Sequence, residues 1–211
     1  MSKLLMQTLL PAALLLVSLQ TALAAEPDWS LEKSAQGINV YTAHTEKTSH
    51  LAFRAESVIP GRSVNDVLTV IKDVPGLVNW LHTCYEAEQV ALEGDAVQII
   101  YMKNESPALL VSERDMVLRM EIQRQTADKA AVILTGVPER LPAKKDFVRI
   151  PMFEGGWTLE NVGNDVKVVY SAVMDPGGSV PAAVSNMMVV KMPFETVRKL
   201  SDVVSKKPRE G

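Results

Sequence analysis

The chain has 211 residues, 47% of them hydrophobic, and a formal net charge of −3. That supplies one domain with its own core. The slight acidity, with no basic run interleaved with aromatics, argues against a nucleic-acid partner, and a single cysteine, Cys84, leaves no internal disulfide to expect.

The N-terminus reads as an export signal. Lys3 gives a positive start, "LLPAALLLVSL" at 9–19 an apolar run, and "ALA" at 22–24 the small residues of a cleavage site. Residues 1–24 are therefore expected to be removed before Ala25, leaving 25–211 as one domain in the periplasm. The run is short and is interrupted by Pro11, Ser18, Gln20 and Thr21, which does not suit a membrane span.

Strands dominate the remainder of the chain. "WSLEKSAQGINVYTAH" predicts a hairpin turning at Gly37, and "TSHLAFRAESVI" predicts a third strand with Leu51, Phe53, Ala55 and Ser57 on one face and Arg54 and Glu56 on the other. Pro60-Gly61 ends it. Ser63 then caps a short helix carrying Val64, Val67, Leu68 and Ile71 at helical spacing. Pro75-Gly76 breaks that helix, and "LVNWLHTC" continues as a further turn of helix or an irregular segment. Further strands are expected at 85–91, 96–103, 116–125 and 130–136, in pieces over 147–160, and at 165–174. In "MVLRMEIQ", Met116, Leu118, Met120 and Ile122 alternate with Arg119, Glu121 and Gln123, the pattern of an antiparallel sheet with one dry face.

Two connections, 104–114 and 137–146, are longer than hairpin turns, and long loops in a small sheet protein are often functional. The first is apolar at Leu109, Leu110 and Val111. The chain then ends in a helix. Gly177-Gly178 turns the backbone, Ser179 is an N-cap candidate and Pro181 suits a first turn. An apolar stripe runs on through Val180, Ala183, Val184, Met187, Met188, Phe194, Val197, Leu200 and Val204. Pro193 inside it predicts a kink near 189–192. The order predicts an α+β fold, a curved antiparallel sheet around a long C-terminal helix.

Catalytic signatures are absent. There is no nucleophile elbow, P-loop, dinucleotide fingerprint or zinc-protease motif. His44, His50 and His82 lack metal-ligand spacing, so no metal and no cofactor is expected. His82 and Cys84 share a strand face but have no evident third partner. Arg114-Asp115 reads as a charge pair at a sheet end or as a ligand contact. Gly177-Gly178 precedes a helix N-terminus, where a turn or an anion would fit. Methionine is more informative: the chain has ten. Met116, Met120, Met174, Met187, Met188 and Met192 fall where the sheet and closing helix should meet, and a pliable thioether suits an apolar cavity with a varied occupant.

"GGWTLENVGNDVKVVYSAVMDPGGSVPAAVSNMMVVKMPFETVRKL" at 155–200 resembles the closing block of the START domain, the StAR-related lipid-transfer domain. Trp157, Asp175, Pro176, Gly178, Val180, Pro181, Asn186 and Pro193 carry the likeness. "SERDMVL" at 112–118, "GINVYTAH" at 37–44 and Trp80 add to it, so that the resemblance spans about 29–204. Leu81 departs from the pattern, since an acidic residue is common there, and the long N-terminal helix of many members has no counterpart in the sequence.

The resemblance implies a helix-grip fold over 25–211 and an internal tunnel for one lipid, a phospholipid, fatty acid or sterol-like molecule. It further implies a non-enzymatic carrier or sensor in transient membrane contact, expected as a monomer. The expected ligand-binding residues are Trp80, Arg114, Met116, Met120, Ile122, Leu134, Met174, Met187, Met188 and Phe194. The competing expectation is a helix-grip enzyme of the cyclase or hydrolase type, for which Arg114, Asp115, Tyr101 and His82 are the first candidates.

Overall fold

The computed structural model describes residues 27–105, 111–180 and 182–207 and contains each strand that the alternation predicts, with shifted ends. The expected signal segment 1–24, most of the apolar loop within 104–114, and Pro181 lie outside the described residues.

The chain opens with β1 (Ser30–Ala35), β2 (Ile38–Ala43) and β3 (Ala52–Ile59). Helix α1 (Val64–Lys72) comes next, and Ser63 caps it in a reciprocal box: its hydroxyl accepts from the Asp66 N–H while Asp66 Oδ2 accepts from the Ser63 N–H. The segment after Val74 is a short 3₁₀ turn, Pro75–Asn79. Then come β4 (Cys84–Glu93), β5 (Val97–Asn104), β6 (Arg114–Arg124), β7 (Lys129–Gly136), the two-residue β8 (Val148–Arg149), β9 (Met152–Val162), β10 (Asp165–Asp175) and the closing helix α2 (Ala182–Lys206).

All ten strands form one curved sheet in the order β1-β2-β3-β10-β9-β7-β6-β5-β4, antiparallel except where β8 runs parallel to β6. The N- and C-terminal strands meet in its middle, where β10 pairs with both β3 and β9. Gly155 and Gly156 sit at this junction. A Cβ at Gly155 would lie 2.3 Å from the Ser171 carbonyl oxygen, and one at Gly156 would lie 1.9 Å from that of Val132. Gly156 also has a φ of +147°, which favours glycine. The pair lets β7, β9 and β10 close up in the middle of the sheet.

Phe53, Ala55, Ile59, Trp157, Leu159, Val168 and Tyr170 are buried on the concave face. The C-terminal half of α2 fills part of that hollow with Phe194, Val197, Leu200 and Val204, and the helix runs through Pro193 without interruption.

The convex face is not uniformly wet, as simple alternation suggests. Val97, Ile99, Tyr101 and Val117 form a second buried cluster there, packed against Val137 and Leu141 of the 137–147 loop. That loop is a cover. Arg149 donates to the carbonyls of Pro138, Leu141 and Pro142, and its guanidinium holds both oxygens of Asp115 at 2.9 Å. Asp115 is fully buried and also accepts from the Tyr101 hydroxyl. Burial and then the Asp115 charge push that hydroxyl well above the usual phenol range. Asp115 therefore pairs with Arg149 across β6 and β8, not with its sequence neighbour Arg114.

Removing one partner of such a buried pair strands the other. Asp115→Ala should lower stability by about 3–5 kcal/mol. Lys129→Ala, which breaks the exposed pair with Glu160, should cost under about 1 kcal/mol. Urea unfolding midpoints at constant slope would measure both.

Candidate functional site

The N-terminal half of α2 does not fill the sheet. Between it and the concave face lies a cavity with about 140 Å³ open to the centre of a water molecule. Its floor is aromatic. Trp157 stacks on Tyr170 with ring centroids 4.2 Å apart, Trp80 meets Trp157 edge-on at 5.8 Å, and Phe53 meets Tyr170 edge-on at 5.0 Å. Met102, Met116 and Met120 line it from the sheet side, and Met188, Val189 and Met192 from the helix.

Of the residues expected at the site, Trp80, Arg114, Met116, Met120, Leu134, Met174 and Met188 all border this cavity. Three do not. Ile122 lies farther along β6, half-buried against the core. Met187 is one residue, or about 100° of helix, from Met188 and is 49% exposed. Phe194 belongs to the solid half of α2, with Lys33 Nζ 3.4 Å from the centre of its ring. The strand alternation places Phe53, Met102, Leu118, Trp157 and Tyr170 on the correct face, but nothing in a sequence distinguishes a side chain beside a void from one in solid core.

Polar groups are few and are grouped around the start of β4 and the facing ends of β5 and β6. His82 donates its backbone N–H to Thr196 Oγ1 of α2, while its ring Nδ1 is buried without a partner among the described residues. Burial, then the positive charges of Lys199 and Lys191, pull its pKa below 6.5. Trp80 Nε1 and Asn104 Nδ2 are also buried without partners among the described residues. Burial pushes the Cys84 thiol up to about 11 and Sγ donates to the Glu86 carbonyl, so His82 faces no thiolate. Burial likewise lowers the pKa of the Arg114 guanidinium.

At the mouth, His50 Nδ1 lies 3.2 Å from Ser185 Oγ, tying the β2–β3 loop to α2. His50 Nε2 is 3.9 Å from Asp175 Oδ1, beyond hydrogen-bond reach, so the three do not form a proton relay. The glycine turn is held locally: the Gly177 N–H donates to Asp175 Oδ1 at 2.8 Å. The four residues considered for catalysis do not converge either. Arg114 and His82 border the cavity, whereas Tyr101 and Asp115 belong to the network on the convex face. Among the described residues no group of His, Cys, Asp and Glu could hold a metal ion, and no helix is long and apolar enough to cross a membrane.

The family model for the START domain matches residues 10–208. The chain belongs to the START family. An uncharacterized protein of Pseudomonas aeruginosa is 32% identical over 186 residues, which cover 87% of this chain and 90% of that protein. A STAR-related lipid transfer protein from Xanthomonas axonopodis is 33% identical and superposes with a TM-score of 0.77 over 84% of this chain and 99% of its own. Human StAR-related lipid transfer protein 5, at 19% identity, covers 84% of this chain and 86% of its own with a TM-score of 0.77, which shows a common fold. The cavity of this START domain thus sits in the hollow that the helix-grip fold forms.

His82 makes the fold sensitive to acid. Its folded pKa is depressed, so as pH falls below 6.5 the unfolded chain binds the proton before the folded one does. Stability should therefore drop from 6.5 down to the lowered folded value and level off there. His82→Gln should flatten this part of the urea-midpoint profile while leaving the midpoint's pH dependence above 7 unchanged.

Proposed function

We propose that the protein binds one hydrophobic lipid in this cavity, as a periplasmic carrier or sensor and without turnover. The observation that carries the reading is the cavity itself, apolar on almost every wall and roofed by the unfilled half of α2. Family membership and the likeness to the Xanthomonas lipid transfer protein support it. The apolar run at 9–19 followed by the small residues at 22–24 supports export.

The energetics favour a kinetic role. Each buried methylene is worth about 0.8 kcal/mol against water. A bilayer buries the same methylenes, so exchange between membrane and cavity is near balance and the protein's contribution is to shield the chain in transit. Size also matters. One water needs roughly 10–15 Å³ of such space, so the cavity in this conformation takes on the order of ten groups of that size. A single acyl chain fits that room better than a two-chain lipid with roughly thirty methylenes. Entry needs a moving part, and the roof is the least filled element: Met187 is exposed and Val184, Met188 and Val190 are only half-buried. That apolar outer surface suits transient contact with a membrane.

Native mass spectrometry of the protein purified from its own cells, with extraction and identification of the bound compound, is the direct test. A stoichiometric apolar adduct is expected; a bare mass that also resists loading from mixed lipid vesicles would reject the proposal. Leu134→Trp, which puts bulk into the cavity wall, should cost about 1–3 kcal/mol of stability and reduce uptake of the same compound several-fold.

A further inference from the structure

Two arginines are drawn into the protein, and they are treated differently. Arg149, on the convex side, has the Asp115 carboxylate. Arg114, 6% exposed and bordering the cavity, has no carboxylate partner among the described residues. Among the described residues its guanidinium reaches only backbone carbonyls: Ser112 at one nitrogen, and Pro176 and Gly177 at 3.4 Å, the long limit of a hydrogen bond. No carboxylate of the described residues bonds Arg114. Asp115 lies on the other face with Arg149, Glu113 accepts from Tyr85, Asp175 accepts from the Gly177 N–H, and Glu105 borders the cavity beside Asn104 but is exposed to solvent.

Asn104 stands directly opposite Arg114 in the β5–β6 ladder. Cross-strand partners point to one face with Cβ atoms about 4.5–5.5 Å apart, so the two side chains enter the cavity wall together. Thr83 Oγ1 lies 3.5 Å from Asn104 Oδ1, and the amide Nδ2 is buried with no acceptor among the described residues. A buried cation held by neutral carbonyls alone among the described residues, beside a buried N–H donor with no acceptor among them, is costly in an apolar wall. An anion completes them.

We infer that the lipid carries an anionic head, a carboxylate or a phosphate monoester, which seats between Arg114 and Asn104 with its chain along the methionine and aromatic walls. This rests on the cavity being a lipid site and adds the charge of the occupant. A carboxylate would accept from the guanidinium and from Asn104 Nδ2 at once, through charge-assisted hydrogen bonds about twice as strong as neutral ones.

The test is calorimetric titration of delipidated protein at pH 8 with tetradecanoic acid, monotetradecyl phosphate and tetradecan-1-ol, each below its micelle concentration. One or both anions should bind at least about tenfold tighter than the alcohol, the size of one charge-assisted hydrogen bond. Which anion does so separates a fatty acid from a phosphate ester. Arg114→Gln should remove the preference and leave alcohol binding in place. Asn104→Asp keeps the carbonyl contacts of Arg114 and offers it an internal carboxylate, so it should lose the preference in a chain whose fold circular dichroism confirms. Equal binding of acid, phosphate and alcohol, or a preference that survives Asn104→Asp, overturns the anionic head while the lipid cavity stands. No binding of any of the three overturns both.

Discussion

The middle of the sheet depends on the close approach of β7, β9 and β10 at Gly155 and Gly156, where only a residue without a Cβ fits. Any side chain at either position would meet a neighbouring carbonyl at less than 2.5 Å. With the glycines in place, the sheet curls far enough for α2 to lie along its hollow. The aromatic floor comes from the same strands, since Trp157 and Tyr170 are direct partners in the β9–β10 register.

The hollow is longer than the part of the helix that fills it, and that mismatch creates the cavity. Past Pro193 the helix presents Phe194, Val197, Leu200 and Val204 and packs as tightly as any core. Before Pro193, Val184, Met188, Val189 and Val190 remain half-buried, and Met188, Val189 and the buried Met192 border the void. One helix thus serves as plug and roof. Methionine suits the second role because an unbranched, polarizable chain can adapt to a ligand's shape without a large rotamer penalty.

Charge is distributed between the two faces according to the same division. On the convex face, Arg149, Asp115 and Tyr101 satisfy one another and fasten a proline-rich loop over a second apolar cluster. On the concave face, Asn104, His82 and Trp80 carry polar atoms with no partner among the described residues, and Arg114 is held there by backbone carbonyls alone. A completed network holds structure, whereas an incomplete one inside an apolar cavity is where a ligand's polar end can be recognised.

Much of this was legible in the residues alone. Period-two alternation located the strands, Ser63 as a cap and Pro75 bounded α1, and the apolar stripe with its two glycines marked the closing helix, because these signals are local and depend only on backbone geometry. The START resemblance added how the pieces assemble. Seven of the ten residues expected at the cavity border it, since alternation along a strand fixes which face a side chain takes. Ile122, Met187 and Phe194 miss it for reasons that need three dimensions: where along β6 the void ends, which way one helical step turns, and which half of α2 is filled. The pairing of Asp115 with Arg149, 34 residues away, was equally out of reach, as was the isolation of Arg114. Sequence determined the elements and their faces; only the tertiary structure decided which buried groups meet a partner and which meet empty space, because that depends on distances between segments far apart in the chain.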